Sequence, residues 1–202
     1  MESSSIEKPR FLLIGYGNMG AACIAPLLQT RDITIATPNS VPQFPCRLAK
    51  CVSELTDCPV FPYIMVACKP WQAKDALEKL PLNCYDKNTV IISIMAGHDE
   101  STLRAFLKGE AKIAIVMPNL GVQVGKGISV ALWGGPGLEF LEKLGTVIYT
   151  TDKEEFSTIA LVSGCGTGFV HQMMNAFESA WRKLGRSSLS QQITIQRSIL
   201  RS

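Results

Sequence analysis

The chain has 202 residues, of which 47% are hydrophobic and 18% are charged, and its formal net charge is +3. This composition supports a hydrophobic core and excludes a wholly disordered chain. The charge excess is small and no block of like charges occurs, so we expect no nucleic-acid partner. Apolar runs are far shorter than the roughly 20 residues that cross a bilayer, so we expect no membrane span. Residues 1–10 are polar and carry no apolar signal core, which favours a cytoplasmic protein.

Short apolar strands alternate with amphipathic helices along the first three quarters of the chain. This alternation predicts an α/β protein with a doubly wound, mostly parallel sheet. In chain order the expected elements are a strand at 11–15, a helix at 18–28, strands at 33–36 and 63–67, a helix at 70–80, a strand at 89–94, a helix around 103–107, strands at 113–117 and 128–132, a helix at 138–144 and a strand at 146–149.

After about Asp152 the pattern changes to helix only. Apolar residues recur at three- and four-residue steps from Phe169 to Leu184, Gly185 fits a helix stop, and residues 189–200 form a last expected helix. We therefore predict two domains, residues 1–152 and residues 153–202. The apolar face after Phe169 has few expected partners in this chain, so it should be exposed or packed against a second copy.

Cysteine and histidine limit the chemistry. The chain has seven cysteines without a Cys-x-x-Cys pair, and its two histidines, His98 and His171, are far apart in sequence. We expect reduced, mostly buried thiols and no metal site.

A glycine motif follows the first strand and opens the first helix, the position that a dinucleotide-binding fingerprint requires. Gly15 permits a tight turn, Gly17 lets the backbone approach a pyrophosphate, and Gly20 allows close packing of helix on strand. A glycine-rich turn that binds nothing is the alternative. The predicted contacts are Gly15, Tyr16, Gly17, Asn18, Met19 and Gly20.

The end of the second strand favours NADP over NAD. Sites for NAD usually carry an Asp or Glu there, whereas residues 36–40 of this chain contain no carboxylate. Thr37, Asn39 and Ser40 could donate hydrogen bonds to a 2′-phosphate. Arg47 or Lys50 could add positive charge, although an ordinary surface role is the favoured interpretation for these two.

Three loops after later strands are expected to meet the cofactor, because ligands of open α/β sheets bind beyond the carboxyl ends of the strands. Ordinary turn chemistry is the alternative for each loop, and Lys69 is not assigned proton transfer. The predicted contacts are Ala67, Cys68, Lys69, Pro70, Met95, Ala96, Gly97 and Asn119.

A glycine-rich segment, residues 163–168, precedes the apolar face that starts at Phe169. We predict a turn whose N–H groups bind a small carboxylate, with a hinge or a close helix contact as the alternative. Cys165 would need a neighbouring base to act as a nucleophile, and the sequence indicates none.

These motifs together resemble those of the pyrroline-5-carboxylate reductase family. Residues 163–167 correspond, with alterations, to the family's Ser-Gly-Ser-Gly-Pro-Ala segment. The other matching segments are Ile14–Gly20, Ala67–Pro70, Ile91–Gly97, Val116–Asn119 and Val124–Gly127.

The resemblance implies a Rossmann-like domain, here residues 1–152, that binds NADPH, with NADH as an alternative. It also implies a helical domain, here residues 153–202, that forms a homo-oligomer by interleaving. The substrate would be a cyclic imino acid reduced to L-proline, with the nicotinamide near residues 67–70 and 95–97. The implied substrate contacts are Ser163, Gly164, Cys165, Gly166 and Thr167.

The family continues past the length of this chain, and its Ser-Pro-Gly-Gly-Thr segment with the proton-donating hydroxyl has no counterpart here. We therefore expect a C-terminally shortened relative and assign no catalytic residue. Two alternatives stay open: a reductase, active or impaired, and a non-catalytic NADP-binding relative or subunit. A third, another NADP-linked reductase such as a hydroxyacid dehydrogenase, is disfavoured by residues 117–119.

Overall fold

An eight-stranded sheet forms the centre of the protein, and the computed structural model describes residues 8–38 and 40–183. The predictions for Asn39, Leu184, Gly185 and residues 189–200 lie outside the described residues. The strands are β1 Arg10–Ile14, β2 Asp32–Ala36, β3 Arg47–Ala49, β4 Tyr63–Val66, β5 Val90–Ser93, β6 Lys112–Pro118, β7 Gly127–Leu132 and β8 Gly145–Thr150.

The order of the strands is β3-β2-β1-β4-β5-β6-β7-β8. Neighbouring strands are parallel except β6 and β7, which pair antiparallel. Because β4 pairs with the other side of β1, the direction of winding reverses between β1 and β4. The predicted α/β fold with a Rossmann-like, doubly wound and mostly parallel sheet is thus confirmed.

Helices pack on both faces of this sheet. In the region of the predicted helix at 18–28, the α-helix ends at Ile24 and a 3₁₀ turn that contains Pro26 follows. The predicted helix at 138–144 is a 3₁₀ helix. Among the described residues, no helix is both long and apolar enough to cross a membrane. The α-helices are α1 Asn18–Ile24, α2 Ala73–Glu78, α3 Glu100–Phe106 and α4 Lys153–Lys183, and the 3₁₀ helices are Ala25–Leu27, Val52–Glu54, Pro70–Gln72, Leu82–Cys84, Leu120–Val124 and Glu139–Leu144.

The central strands are buried on both faces, which explains their continuous apolar sequence. In β1, Leu12 and Ile14 join the core cluster on one face of the sheet, whereas Phe11 and Leu13 join the cluster on the other. This alternation follows from the two-residue repeat of a strand.

One strand, β3, was not predicted. It has only three residues, Arg47, Leu48 and Ala49, and only Ala49 is buried. An edge strand of this length has no continuous apolar run, so periodicity cannot reveal it.

The start of α3 is acidic, with Asp99 as the capping residue and Glu100 in the first turn. The Asp99 side chain accepts hydrogen bonds from the Thr102 N–H at 2.9 Å and from the hydroxyls of Thr102 and Ser101. These bonds, those from Thr102 first, lower the pKa of Asp99 to about 2. The ionised carboxylate is therefore the form that caps the helix.

Helix α4 runs without interruption from Lys153 to Lys183. The predicted turn at 163–168 and the predicted helix start at Phe169 are therefore wrong. Three glycines lower helix propensity by only about 1 kcal/mol each relative to Ala, which long helical flanks can offset. The helix begins after Asp152, whose carboxylate accepts a hydrogen bond from the Glu154 N–H at 2.7 Å. This start coincides with the predicted boundary at 152/153, and the division into two domains stays a prediction.

The glycines of α4 can be replaced without steric conflict, since a Cβ at Gly166 or Gly168 would meet nothing within 4 Å. We expect Ala at both positions to raise the free energy of unfolding by about 1 kcal/mol per site. Urea denaturation followed by circular dichroism measures this. The control, Gly125→Ala, should destabilise, because Gly125 has φ +67°. A double variant less stable than the parent would contradict the continuous helix.

The antiparallel β7 sets the path of α4. Since β7 and β8 run opposite to β6, they end at the edge of the sheet opposite the carboxyl ends of β1, β4, β5 and β6. Helix α4 starts at that edge and reaches the other one at Ser163, whose carbonyl accepts a hydrogen bond from Asn119 Nδ2 at 3.2 Å. Asn119 directly follows β6.

Candidate functional site

A crevice of about 980 Å³ opens at the carboxyl ends of the parallel strands. It lies beyond β1, β2, β4 and β5, where the winding of the sheet reverses, the usual ligand site of open α/β folds. Its volume is at the upper end of the range for small-molecule sites. The residues that line the crevice are Ile14–Met19, Ala36–Pro38, Ser40, Lys50–Ser53, Ala67–Gln72, Asp75, Ala76, Lys79 and Ile94–Ala96.

Two glycines, Gly15 on the floor of the crevice and Gly20 behind it, allow close backbone packing. Gly15 has φ +92°, and a Cβ there would lie 2.7 Å from the Cys68 backbone nitrogen. A Cβ on Gly20 would lie 2.5 Å from the Gly15 carbonyl oxygen. The turn after β1 therefore packs directly on the loop after β4, and only glycine fits at these two positions.

Gly17 is different, because a Cβ there would meet nothing within 4 Å. It precedes α1, and its lack of a side chain leaves the first turn of α1 without a side-chain cap. The N–H groups of that turn have no helical partners. Space and unpaired donors therefore occur together on the wall of the crevice.

The loops after β4 and β5 meet through their sulfur atoms. The Cys68 thiol donates to Met95 Sδ at 3.7 Å. Burial raises the pKa of the Cys68 thiol to about 11. Lys69 is held by its backbone N–H, which donates to Gln72 Oε1 at 3.0 Å. This part of the wall is therefore uncharged near Cys68 and Met95.

Thiol reactivity should follow this environment. At about pH 8, we expect iodoacetamide to modify the exposed Cys51 well before Cys68, because the Cys68 thiol stays protonated below its pKa of about 11. Raising the pH toward that value should speed modification of Cys68. Mass spectrometry of peptides after timed quenching measures both rates. Equal rates for Cys51 and Cys68 at about pH 8 would contradict the described burial.

The outer wall comes from the loop after β3 and the start of α2, and no sequence motif predicts it. Trp71 projects there with 77% of its surface exposed. Asp75 and Lys79 form an ion pair at 2.6 Å. No motif marks these residues, and β3 was not predicted. The tryptophan directly after Lys69-Pro70 is the one signal in the sequence. Lys50, for which a surface role was favoured, also lines the crevice, and the unpredicted lining residues are Ile14, Ala36, Pro38, Cys51, Val52, Ser53, Trp71, Gln72, Asp75, Ala76, Lys79 and Ile94.

The structure brings most of the predicted cofactor contacts to this one crevice. Gly20 lies behind the wall, whereas Gly97 and Asn119 do not line it. The role of each residue in binding stays a prediction. The predicted residues that line the crevice are Gly15, Tyr16, Gly17, Asn18, Met19, Thr37, Ser40, Ala67, Cys68, Lys69, Pro70, Met95 and Ala96.

Asn119 is a buried link between three elements. Its Oδ1 accepts hydrogen bonds from the N–H groups of Gly121 and Ile128, both at 3.1 Å, and its Nδ2 donates to the Ser163 carbonyl. The amide thus ties the end of β6 to β7 and α4. Most of its hydrogen-bonding capacity is used inside the protein.

We expect Asn119→Ala to lower the free energy of unfolding by about 2–3 kcal/mol, because three hydrogen bonds are lost at a buried position. Urea denaturation followed by tryptophan fluorescence measures the loss. Gln123→Ala, an exposed change in the neighbouring 3₁₀ helix, should stay within about 0.5 kcal/mol of the parent. Equal stability of the two variants would show that the link is dispensable.

The predicted substrate contacts, Ser163 to Thr167, do not line the crevice. Ser163 is buried, and its Oγ has no hydrogen-bond partner among the described residues. Because these residues are helical, their N–H groups bond within the helix, and the predicted turn that would bind a carboxylate is not formed. The Thr167 hydroxyl donates to the Gly164 carbonyl at 2.7 Å, and Cys165 is exposed.

All seven cysteines are free. Burial is less general than predicted, because only Cys23, Cys58 and Cys84 are fully buried, whereas Cys51 and Cys165 are exposed. The exposed position of Cys51 was not visible in the sequence, because no recognisable turn motif surrounds it.

Comparison with known proteins adds to this geometry. No protein-family model matches the chain. The pyrroline-5-carboxylate reductase of Aquifex aeolicus (strain VF5) is 29% identical over 185 residues, which cover 83% of this chain and 67% of the relative. The enzyme of the same name from Staphylococcus saprophyticus is 28% identical over 131 residues, or 61% of this chain and 48% of the relative.

The solved structures agree. The Plasmodium falciparum pyrroline carboxylate reductase, crystallised with NADP bound, has a TM-score of 0.79 at 21% identity and covers 96% of this chain and 77% of that one. The Streptococcus pyogenes 1-pyrroline-5-carboxylate reductase has a TM-score of 0.73 at 19% identity, with coverages of 95% and 76%.

The chain resembles the pyrroline-5-carboxylate reductases in sequence and in fold. The resemblance predicted from the motifs is thus confirmed. The chain spans between about half and three quarters of the length of these reductases. The likeness is therefore to oxidoreductases of the reductase type.

Proposed function

We propose that this chain binds NADPH in the crevice and, with it, reduces 1-pyrroline-5-carboxylate to L-proline, the final reaction of proline biosynthesis. NADH is the alternative hydride donor. The observation that carries the proposal is the convergence of the Gly15–Gly20 motif and the loops after β4 and β5 on one crevice, in a chain that resembles reductases of this name.

The residues of the crevice fit a dinucleotide. Gly17 leaves open space beside the uncapped first turn of α1, where a pyrophosphate can accept hydrogen bonds from N–H groups. Gly15 and Gly20 keep that turn low against the loop after β4. The surface formed by Cys68 and Met95 is uncharged, so the neutral dihydronicotinamide ring of NADPH can pack on it. The NADP of the Plasmodium falciparum structure supports the choice of cofactor.

When bound, NADPH supplies a hydride. In the proposed reaction this hydride adds to the carbon of the imine C=N bond and a proton adds to the nitrogen, so that L-proline and NADP⁺ are formed. The residues of the crevice would bind and orient NADPH next to the imine. Bringing two reactants together in this way accounts for a large share of the rate enhancement of enzymes. The backbone at Gly15 and Gly17 would fix the diphosphate, while Pro70 and Ala96 would border the ring.

The substrate contacts Ser163, Gly164, Cys165, Gly166 and Thr167 stay a proposal that rests on the resemblance. Their helix leaves the sheet beside Asn119, on the side of the sheet where the crevice opens. A carboxylate there would meet the hydroxyl of Thr167 and the exposed Cys165, since the N–H groups are used within the helix.

Helix α4 also supports a homo-oligomer. Beyond Ser163 it presents a row of exposed apolar side chains, with Phe169 at 69% and Phe177 at 59% exposure. Val170, Met173 and Met174 lie on the same face of the helix. We propose that a second copy covers this face. Light scattering should give a dimer or larger assembly, and Phe177→Glu should shift it to the monomer. A monomeric parent protein that binds no hydrophobic dye would overturn this part.

The direct test of activity is oxidation of NADPH in the presence of 1-pyrroline-5-carboxylate, with proline identified as the product. The matched control is the same mixture without the imine. Turnover supports the proposal. Tight NADPH binding without turnover would instead indicate the non-catalytic NADP-binding relative, and absence of binding would overturn both. A cytoplasmic location stays a prediction from the sequence.

A further inference from the structure

The corner of the crevice beside β2 and β3 carries a cation, Lys50, for which the sequence alone favours an ordinary surface role. The two strands are parallel, Ala36 lies opposite Ala49, and the Thr37 N–H donates to the Ala49 carbonyl at 2.9 Å. The residues that follow each strand therefore leave the sheet side by side. Lys50 is the first residue after β3, and it lines the crevice.

This corner is where a Rossmann-like site receives the ribose of the adenosine half of its dinucleotide. Three residues with hydroxyl side chains that follow β2 or β3 line the crevice, Thr37, Ser40 and Ser53, and the Thr37 hydroxyl accepts a hydrogen bond from the Tyr16 N–H at 3.4 Å. No carboxylate follows β2, and the residues of this segment are Thr37, Pro38, Asn39 and Ser40. A carboxylate at this position would have accepted a hydrogen bond from the ribose and repelled a phosphate.

The charges along the wall single out Lys50. Of the lining residues that the structure describes, Asp75 alone is acidic, and it is paired with Lys79 at 2.6 Å. Among the described residues, the side chain of Lys50 forms no ion pair. Glu54 accepts a hydrogen bond from the backbone N–H of Lys50 at 2.8 Å, which fixes the start of the loop at residues 50–53.

The other cations nearby are less suitable. Lys69 follows β4, on the opposite side of β1 from β2 and β3. Arg47 begins β3 and does not line the crevice.

We infer that Lys50, with the hydroxyls of Ser40 and Ser53, recognises the 2′-phosphate of NADPH and sets the preference of this chain for NADPH over NADH. The inference rests on the proposed function, because it names a contact of the proposed cofactor. A lysine is a flexible point charge suited to a phosphate at an exposed rim, and within residues 8–38 and 40–183 its ammonium group has no ion pair, since Glu54 contacts only the backbone N–H of Lys50.

The test compares dissociation constants for NADPH, NADH and adenosine 2′,5′-bisphosphate by isothermal titration calorimetry. Lys50→Ala should weaken NADPH and the bisphosphate about tenfold, since the contact is charge-assisted but exposed, and should leave NADH within about twofold. Lys50→Glu should weaken NADPH further and bring its affinity below that for NADH. Raising the salt concentration should shrink the difference between parent and Lys50→Ala.

The control is Arg47→Ala, which removes the same charge three residues earlier, at the start of β3, and should leave all three constants unchanged. Equal weakening of NADPH and NADH by Lys50→Ala would overturn the inference, and so would a parent protein that binds both equally. In those two cases the proposed function stands. A parent protein that binds neither dinucleotide would overturn the inference and the proposed function together.

Discussion

Replacing Gly17 by Asp is expected to abolish NADPH binding while leaving the fold intact. A side chain at this position meets nothing within 4 Å, so the protein accommodates it without strain. The new carboxylate would face the site proposed for the diphosphate, and like charges at about 4 Å in a partly desolvated site repel by several kcal/mol. We expect the dissociation constant for NADPH to rise about 100-fold or more.

Fluorescence titration with NADPH measures this loss, and circular dichroism with thermal denaturation checks the fold. The control is Asn88→Asp, which adds the same charge at an exposed position before β5, at the opposite edge of the sheet. It should bind NADPH as the parent does. Unchanged affinity in Gly17→Asp would show that the dinucleotide binds elsewhere.

Replacing Gly15 by Ala, in contrast, is expected to destabilise the whole protein. Gly15 combines φ +92° with a Cβ position 2.7 Å from the Cys68 nitrogen and 2.8 Å from the Cys68 Cα. These are backbone atoms, so the loop after β4 must move. We expect a loss of about 3–5 kcal/mol in the free energy of unfolding, a large share of the 5–15 kcal/mol typical of a domain.

Urea denaturation followed by circular dichroism measures this effect. Gly17→Ala is the matched control, two residues away in the same turn, and should change stability by less than about 1 kcal/mol because its φ is −89° and its surroundings are open. If the two variants were equally stable, the close packing of the turn after β1 on the loop after β4 would be refuted.

The sheet could be predicted from the sequence because its central strands are buried on both faces. Residues 11–14 and 63–66 form uninterrupted apolar runs, and such runs are too short for helices. The order of elements then restricts the topology, since parallel strands need crossovers. β3 was missed because Arg47 and Leu48 are exposed and a three-residue strand carries no periodic signal.

The inner half of the crevice was predictable because it follows the buried strands that the apolar runs identify. Glycines follow the buried strand β1, and small residues follow β4 and β5. These residues identify the edge of the sheet at which the parallel strands end. The outer half, with Lys50 and Trp71, depends on how β3 and α2 approach that edge in three dimensions. Spacing in the sequence does not encode that approach.

The helical part shows where local chemistry misleads. Three glycines between residues 164 and 168 indicate a turn by every local rule, yet α4 continues through them. The outcome depends on helical residues on both sides of the segment and on contacts such as that between Asn119 and the Ser163 carbonyl. Local rules count the conformational cost of the glycines and omit these distant stabilising contributions.

A single antiparallel pairing, that of β7 with β6, determines how far the chain reaches. If β7 and β8 ran parallel to the other strands, α4 would start at the edge of the sheet where the crevice opens. It would then run toward the opposite edge, away from the crevice. Instead it uses its first 11 residues, 153–163, to traverse the sheet and sends the next 20, 164–183, roughly 30 Å past it at 1.5 Å per residue. Residues 164–183 therefore project from the edge of the sheet where the crevice opens. In the proposed homo-oligomer, this segment is long enough to bring side chains to the crevice of a second copy.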